Sequence, residues 1–436
     1  MPYYSNLDEK IMVLREWMDL KKEQGADADA FAKRFCETLD RMTAEASELP
    51  VDPELQAREP DELDRIRAFR PDGPRVLDLE LTDEELEDRI LGAWLGRGAG
   101  CMLGVPCEGF SRKAIKAACY ALDIPYPLRD YWTRHPKTTS ALDTYNGLPF
   151  RRFLKDEIQY MMPDDDLLYT LLGLVILEQY GPGFTSEDVG KAWLDYVPFA
   201  CTAEKVALDN LRNGLTPPET AAVNNPDCEW LGADIRSDPW GYAAPGIPEL
   251  AAEFAYRDAR VSHLRNGIYG AMFFSAVIAA VIATSDIRRS IEIGLTEIPA
   301  ECRLAVGIRE TLAWCDELND YDAVLDRIFE RYKGMHVGHT INNAALVVAG
   351  LILARDDFEV CITQVVMAGM DTDCTGATAG SIMGALWGAK NLPDKWIKPL
   401  GSVHRSYLNG LYTWDNSDIA RRFTKLALEN RRRVTG

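Results

Sequence analysis

The sequence is short of positive charge, poor in histidine and free of paired cysteines. Its 436 residues carry 48 Lys and Arg against 68 Asp and Glu, with only five His, for a formal net charge of −20. That balance argues against non-specific nucleic-acid binding and against docking on anionic membranes. It does not argue against a small substrate, because a local site on an acidic protein can be positive or metal-loaded. The ten cysteines contain no CxxC pair and read as small, buried, reduced side chains. The opening MPYYSNLDEKIMVLREW lacks a basic segment followed by an apolar one, so no signal peptide is expected. No run reaches about 18 uncharged apolar residues, the length of a membrane span. The stretches 267–285 and 375–389 come nearest and read as buried core helices. A cytoplasmic location is expected. Alternation of the β type is scarce.

What is present is helical periodicity. Residues 5–47 predict two amphipathic helices, with Ile11, Leu14, Trp17 and Met18 on one face and Phe31, Phe35, Leu39 and Met42 on another. Residues 49–75, rich in proline and charge, read as a linker with a short helix. At TDEEL, Thr82 and Glu85 form a capping box that opens a helix running into LGAWLGRGAGCMLG. Further helices are expected over 165–180, 186–196, 203–213, 248–259, 266–284, 302–318, 321–332, 340–354 and 357–368. The expected organisation is a helical N-terminal extension, 1–82, followed by one all-α domain, 83–436. Residues 109–160 read as a long, partly irregular insertion suited to substrate-binding loops.

Two segments carry glycine every fourth residue, at 92, 96, 100 and 104 and again at 376, 380, 384 and 388. Glycine inside a helix costs about 1 kcal/mol relative to alanine. Close helix–helix approach is the compensating gain, so the two helices are expected to cross tightly at the centre of the fold. The end of one then lies near the end of the other.

Acidic clusters head two apolar helices: Asp164, Asp165 and Asp166, and Asp371 with Asp373. Acidic residues in a first turn commonly complement the helix dipole. Three in succession exceed what capping requires, and hard divalent cations want several carboxylate oxygens. The two clusters are therefore expected to share a site. Glu108, directly after the first glycine helix, can reach the same centre. Arg236, Asp238, Trp240, His263 and Asn266 lie beside glycines and suit the gripping of a polar ring. His336 and His339 have a spacing that allows a zinc pair, but no thiolate or carboxylate pattern supports one, and they read as structural or substrate-contacting.

Taken in order, these motifs resemble the ADP-ribosylglycohydrolase family, the group that includes dinitrogenase reductase-activating glycohydrolase. The matching stretches are GAWLGRGAGCMLGVPCEG, PDDD at 163–166, GADIR at 232–236 with SH at 262–263, and AGMDTDCTGATAGSIMGALWG at 368–388. The resemblance implies an all-α orthogonal helical bundle with a site for Mg²⁺ or Mn²⁺, two ions in the family pattern. It implies hydrolysis of the glycosidic bond at the anomeric carbon of an ADP-ribosyl group. Asp164, Asp165, Asp371 and Asp373 would be metal ligands, with Asp166 as an added carboxylate. Glu108 and Asp165 are the catalytic candidates. Arg236, Asp238, Trp240, His263, Asn266 and His336 are the candidate substrate contacts. Pro163, Asp166 and Cys374 stand where the motifs carry threonine, and Cys101 where an aspartate is usual. Two other readings stay open at this point. One is hydrolysis of a nucleoside-like N-riboside; the other is a non-catalytic binding or structural relative. Oligomeric state is not legible.

Overall fold

The computed structural model describes residues 4–134, 136, 144–145 and 148–436. Part of the expected insertion, residues 135, 137–143 and 146–147, lies outside the described residues. The architecture is all-α. Among the described residues the only strands are two short antiparallel ribbons, Thr144–Tyr145 with Leu148–Pro149 and Val403–Arg405 with Thr413–Asp415. The periodic segments fold within a residue or so of their expected limits, including Asp165–Tyr180, Asn266–Thr284 and Thr340–Leu353.

The centre is built by the glycine helices Asp83–Gly104 and Thr372–Trp387. They do not cross. They run antiparallel and in register, Gly92 facing Gly384, Gly96 facing Gly380, and Gly100 facing Gly376. At each pair the backbone of one helix fills the place a β-carbon would take on the other. Gly104 completes the series against the carbonyl of Thr372, which donates its Oγ1 proton back to the Gly104 carbonyl at 2.8 Å. The predicted capping box starts this pair: Glu85 N donates to Thr82 Oγ1 at 3.2 Å, and Thr82 N to Glu85 Oε2 at 2.9 Å.

Against the pair packs the apolar helix Asn266–Thr284, buried from Asn266 to Ile282. By length and hydropathy this helix and Asp83–Cys107 are each sufficient to cross a membrane, yet nearly all of both is buried inside the protein. The second is interrupted by the charged Arg97, and both are the buried core helices of the bundle.

The extension divides in two. Helices Ser5–Glu23 and Ala28–Ser47 form a hairpin whose predicted apolar faces are largely exposed, Trp17 at 56% and Met42 at 55%. Residues 53–77, which overlap the expected linker 49–75, instead dock on the bundle. Ile66 is fully buried in the main core. The buried carboxylate of Glu59 accepts from Asn266 Nδ2 at 2.8 Å and pairs with Arg303 at 2.9 Å. Arg70 and Arg75 both reach the buried Glu297, at 2.6 and 2.7 Å. Charge in this stretch therefore marks ion pairs, not solvation. Within the expected insertion, Ser111 caps a regular helix, Arg112–Ala121, whose short length hid its period.

Candidate metal centre and active-site cleft

The antiparallel register decides which ends meet. The first glycine helix runs out through a tight turn, Val105–Cys107, into Glu108. The second begins at Asp371. Two backbone bonds clamp the junction, Gly109 N to Met370 O at 2.9 Å and Met370 N to Phe110 O at 3.0 Å. Glu108 thus arrives beside Asp371 and Asp373, with ligand oxygens of all three within 4.8 Å of one another.

The other cluster joins them. Asp164 caps the helix Asp165–Tyr180, accepting from Asp166 N at 3.0 Å. Asp166 comes together with Asp373 and Cys374, and separately with Asp164 and Cys101, again within 4.8 Å. The three groups overlap through Asp166 and Asp373 into one centre. Asp165 belongs to none of the three but lines the cleft in front of them. That cleft encloses about 340 Å³ and is lined by Glu108, Asp165, Glu204, Asp371, Asp373 and His336, among others.

So many carboxylates cannot all stay ionised in a half-buried site. The charge of Asp373, with burial and Asp371 behind it, pushes Glu108 up to about 10. Burial, then Asp373, pushes Asp165 up to about 6. Burial holds Asp371 and Asp166 well above the usual carboxylate range. Two of the oxygens, Asp166 Oδ2 and Asp371 Oδ1, are buried without a hydrogen-bond partner. Asp371 starts its helix yet makes no side-chain cap bond. These are oxygens waiting for positive charge. The donor set, carboxylates with two flanking sulfurs, fits divalent cations of the Mg²⁺ and Mn²⁺ class.

Of the six candidate substrate contacts, only His336 lies on the cleft. Its ring stacks on Trp230, with centroids 3.8 Å apart and planes at 8°, and its Nδ1 accepts from Gly338 N at 3.0 Å. The other five are buried in the bundle. Arg236 pairs with Asp258 at 2.9 Å and Glu204 at 3.4 Å, and lies over the rings of Trp193 and Tyr169. Asp238 pairs with Arg97 at 2.7 Å. Trp240 stacks on Phe184 at 5.0 Å. His263 Nδ1 meets Ser262 Oγ at 2.8 Å, and burial keeps its pKa well below the usual value. Asn266 bridges Glu59 and Glu229. The glycines beside these residues mark close packing, not ligand approach: a β-carbon at Gly267 would fall 2.6 Å from the Cys228 carbonyl oxygen. His339 caps Thr340–Leu353, its Nδ1 accepting from Ile341 N at 3.3 Å, and among the described residues neither it nor His336 belongs to a cluster of three or more metal-ligating groups.

Sequence reasoning missed Arg97 and Glu204. Arg97 is fully buried, pairs with Asp166 at 3.2 Å as well as Asp238, and donates to the Ile235 carbonyl at 2.6 Å. It fixes one face of Asp166 and leaves the other toward the centre. Its only sequence signal is an arginine among glycines in LGRGAG. Glu204, on the cleft wall, is pushed up to about 7, chiefly by burial, and packs against Gly232.

A sequence profile described as ADP-ribosylglycohydrolase matches residues 82–432, about four fifths of the chain. The chain belongs to the ADP-ribosylglycohydrolase family. One curated relative is the ADP-ribosyl-[dinitrogen reductase] glycohydrolase of Rhodospirillum rubrum. It is 35% identical over 72 residues, 16% of this chain and 24% of the relative. The match thus spans about a quarter of that protein's length. A solved structure titled "ADP-ribosylglycohydrolase-related protein complex" aligns with a TM-score of 0.51 at 19% identity, covering 79% of this chain and 99% of that one. At that identity the likeness shows a shared family fold. The extension before residue 82 lies outside the family match.

Proposed function

We propose that the protein is a divalent-metal-dependent hydrolase of the ribosyl glycosidic bond in ADP-ribosylated substrates. The observation that carries this is the convergence of Glu108, Asp371 and Asp373 on one cleft with Asp164 and Asp166 clustered against Asp373 behind it, and with the buried oxygens Asp166 Oδ2 and Asp371 Oδ1 left for a cation. Asp164, Asp166, Asp371 and Asp373 would hold Mg²⁺ or Mn²⁺, with Cys101 and Cys374 at the edge of the set. A bound divalent ion at such a centre supplies Lewis acidity and lowers the pKa of a coordinated water.

The chain's own groups do the rest. Hydrolysis breaks the bond from the anomeric carbon to nitrogen or oxygen, joins water oxygen to that carbon, and delivers a proton to the leaving group. Positive charge builds on the ribose in the transition state. The carboxylate-lined cleft is electrostatically suited to that charge. Glu108, held at the cleft by the Met370 clamp, is the group that moves the proton. Asp165 faces the cleft beside it and supports the same step. The Trp230–His336 pair offers a flat wall for a ring of the substrate.

The test is release of free ADP-ribose from N- and O-linked ADP-ribosyl conjugates after chelation, then after readdition of Mg²⁺ or Mn²⁺. Metal-restored release is expected. Absence of calorimetric binding of either ion, or no release from any conjugate at saturating metal, would overturn the reading.

A further inference from the structure

Among the described residues, only two of the ten cysteines stand in a group with metal-ligating carboxylates, Cys101 and Cys374. Cys101 lies with Asp164 and Asp166, and Cys374 with Asp166 and Asp373, the ligand atoms of each group within 4.8 Å of one another. Asp166 belongs to both groups. It is fully buried, and its Oδ2 has no hydrogen-bond partner. Cys302 shows the ordinary alternative, a buried sulfur that caps a helix by accepting from Ala305 N at 3.4 Å.

The centre is graded in depth. The all-oxygen group Glu108, Asp371 and Asp373 lines the cleft, and Cys374, half-buried, lines it beside them. Cys101, Asp164 and Asp166 are buried behind that wall and do not line it. Mg²⁺ takes oxygen ligands in near-ideal octahedral geometry. Sulfur donors favour borderline ions such as Zn²⁺. We infer that Cys101 and Cys374 are metal ligands, so that the inner, sulfur-bearing side of the centre holds a borderline divalent ion of the Zn²⁺ and Co²⁺ kind while the outer oxygen group takes Mg²⁺ or Mn²⁺. The inference rests on the proposed function for the use to which the centre is put; the choice of ion rests on the donor atoms. Burial and the surrounding carboxylates keep both thiols protonated in the metal-free protein. A bound cation reverses that balance, and each sulfur gives its proton to solvent as it ligates.

Co²⁺ is the probe. Added to the metal-free protein under reducing conditions, it should produce the near-ultraviolet sulfur-to-cobalt charge-transfer band. Zn²⁺ should abolish the band by displacement, and a large excess of Mg²⁺ should leave it. Changes that touch a metal site only indirectly already cost about 10- to 100-fold in affinity. Cys101→Ser and Cys374→Ser should therefore each lower Zn²⁺ affinity by at least about tenfold in calorimetry, and the double variant should lose the band. Mg²⁺ affinity should hold or rise, since serine offers oxygen. Cys201→Ser is the control, because Cys201 lines the cleft but belongs to no ligand group. Melting of each metal-free variant checks its fold. Co²⁺ binding to the native protein without the band overturns the inference, and that result needs no variant. A band that survives in the folded double variant, a band lost in Cys201→Ser, or displacement by Mg²⁺ as readily as by Zn²⁺ also overturns it. Hydrolysis restored by Mg²⁺ in a protein that shows no band with Co²⁺ removes the sulfur ligands and leaves the proposed reaction standing. The expected band with no hydrolysis of any conjugate under any ion does the reverse.

Discussion

Gly376→Ala isolates the physical role of the glycine stripe. Helix propensity alone favours the change by about 1 kcal/mol. Packing opposes it. The new β-carbon would lie 2.6 Å from the Gly100 carbonyl oxygen, 3.1 Å from the Gly100 carbonyl carbon and 2.8 Å from Val366 Cγ2. Unstrained contacts between carbons begin near ~3.5 Å. Val366 can rotate away, but a carbonyl inside a helix cannot. The helices must part by most of an ångström, which also opens the backbone contacts at Gly96 and Gly380. Overpacking of a tight core costs about 1–3 kcal/mol and sometimes more. The rigid partner puts this site at the upper end, for a net loss of about 2 kcal/mol after the propensity gain. Urea unfolding followed by circular dichroism reads the change as a lower midpoint at constant slope. Gly183→Ala is the control, since nothing lies within 4 Å of its β-carbon position and its φ is not positive. It should shift stability by less than about 0.5 kcal/mol. A Gly376→Ala protein that unfolds at or above the native midpoint would refute the packing argument.

Glu108→Gln removes the proton-transfer capacity and should lower turnover by about 10²- to 10⁴-fold at saturating metal, while the metal-free protein melts no lower than the native one. Near-native turnover in steady-state assays would exclude Glu108 from the chemical step. The metal-free protein should lose stability as pH rises. The folded pKa values of Glu108 (about 10) and Asp165 (about 6) stand above the ordinary 4.5 and 3.8. Their contribution is therefore whole below pH ~4 and lost progressively upward through those values. Melting curves in chelator at pH 6 and pH 9 should show the fall, and Mn²⁺ should restore more stability at pH 9. Arg97→Met leaves Asp166 and Asp238 buried without their shared cation and should cost about 3–5 kcal/mol, read by unfolding or by loss of soluble protein.

Much of the fold was legible because its signals are local. Helix limits followed from apolar period and capping, as at Thr82 and Glu85. The acidic clusters and Glu108 were legible because carboxylates are rare at the heads of very apolar helices, and the glycine stripes told which segments would touch. The direction of that touch was not legible, since a stripe of period four has no polarity. Nor was the fate of Arg236, Asp238, His263 and Asn266. Each is polar beside glycine, a pattern shared by ligand grips and by tightly packed, internally paired core groups. Only the partners Asp258, Arg97, Ser262 and Glu59 distinguish the two, and Arg97 and Glu59 are more than a hundred residues away in sequence.

The docking of residues 53–77 separates two boundaries that are often treated as one. Similarity to the family begins at residue 82, but the folded body begins some thirty residues earlier. A chain trimmed to the similarity limit would uncover the core at the place Ile66 occupies. It would strip the buried Glu297 of Arg70 and Arg75, and deprive Asn266 and Arg303 of Glu59. Groups well inside the family portion are thus completed only by a segment outside it. Expression of the homologous portion alone should give an insoluble product, and a chain beginning near residue 50 should remain soluble.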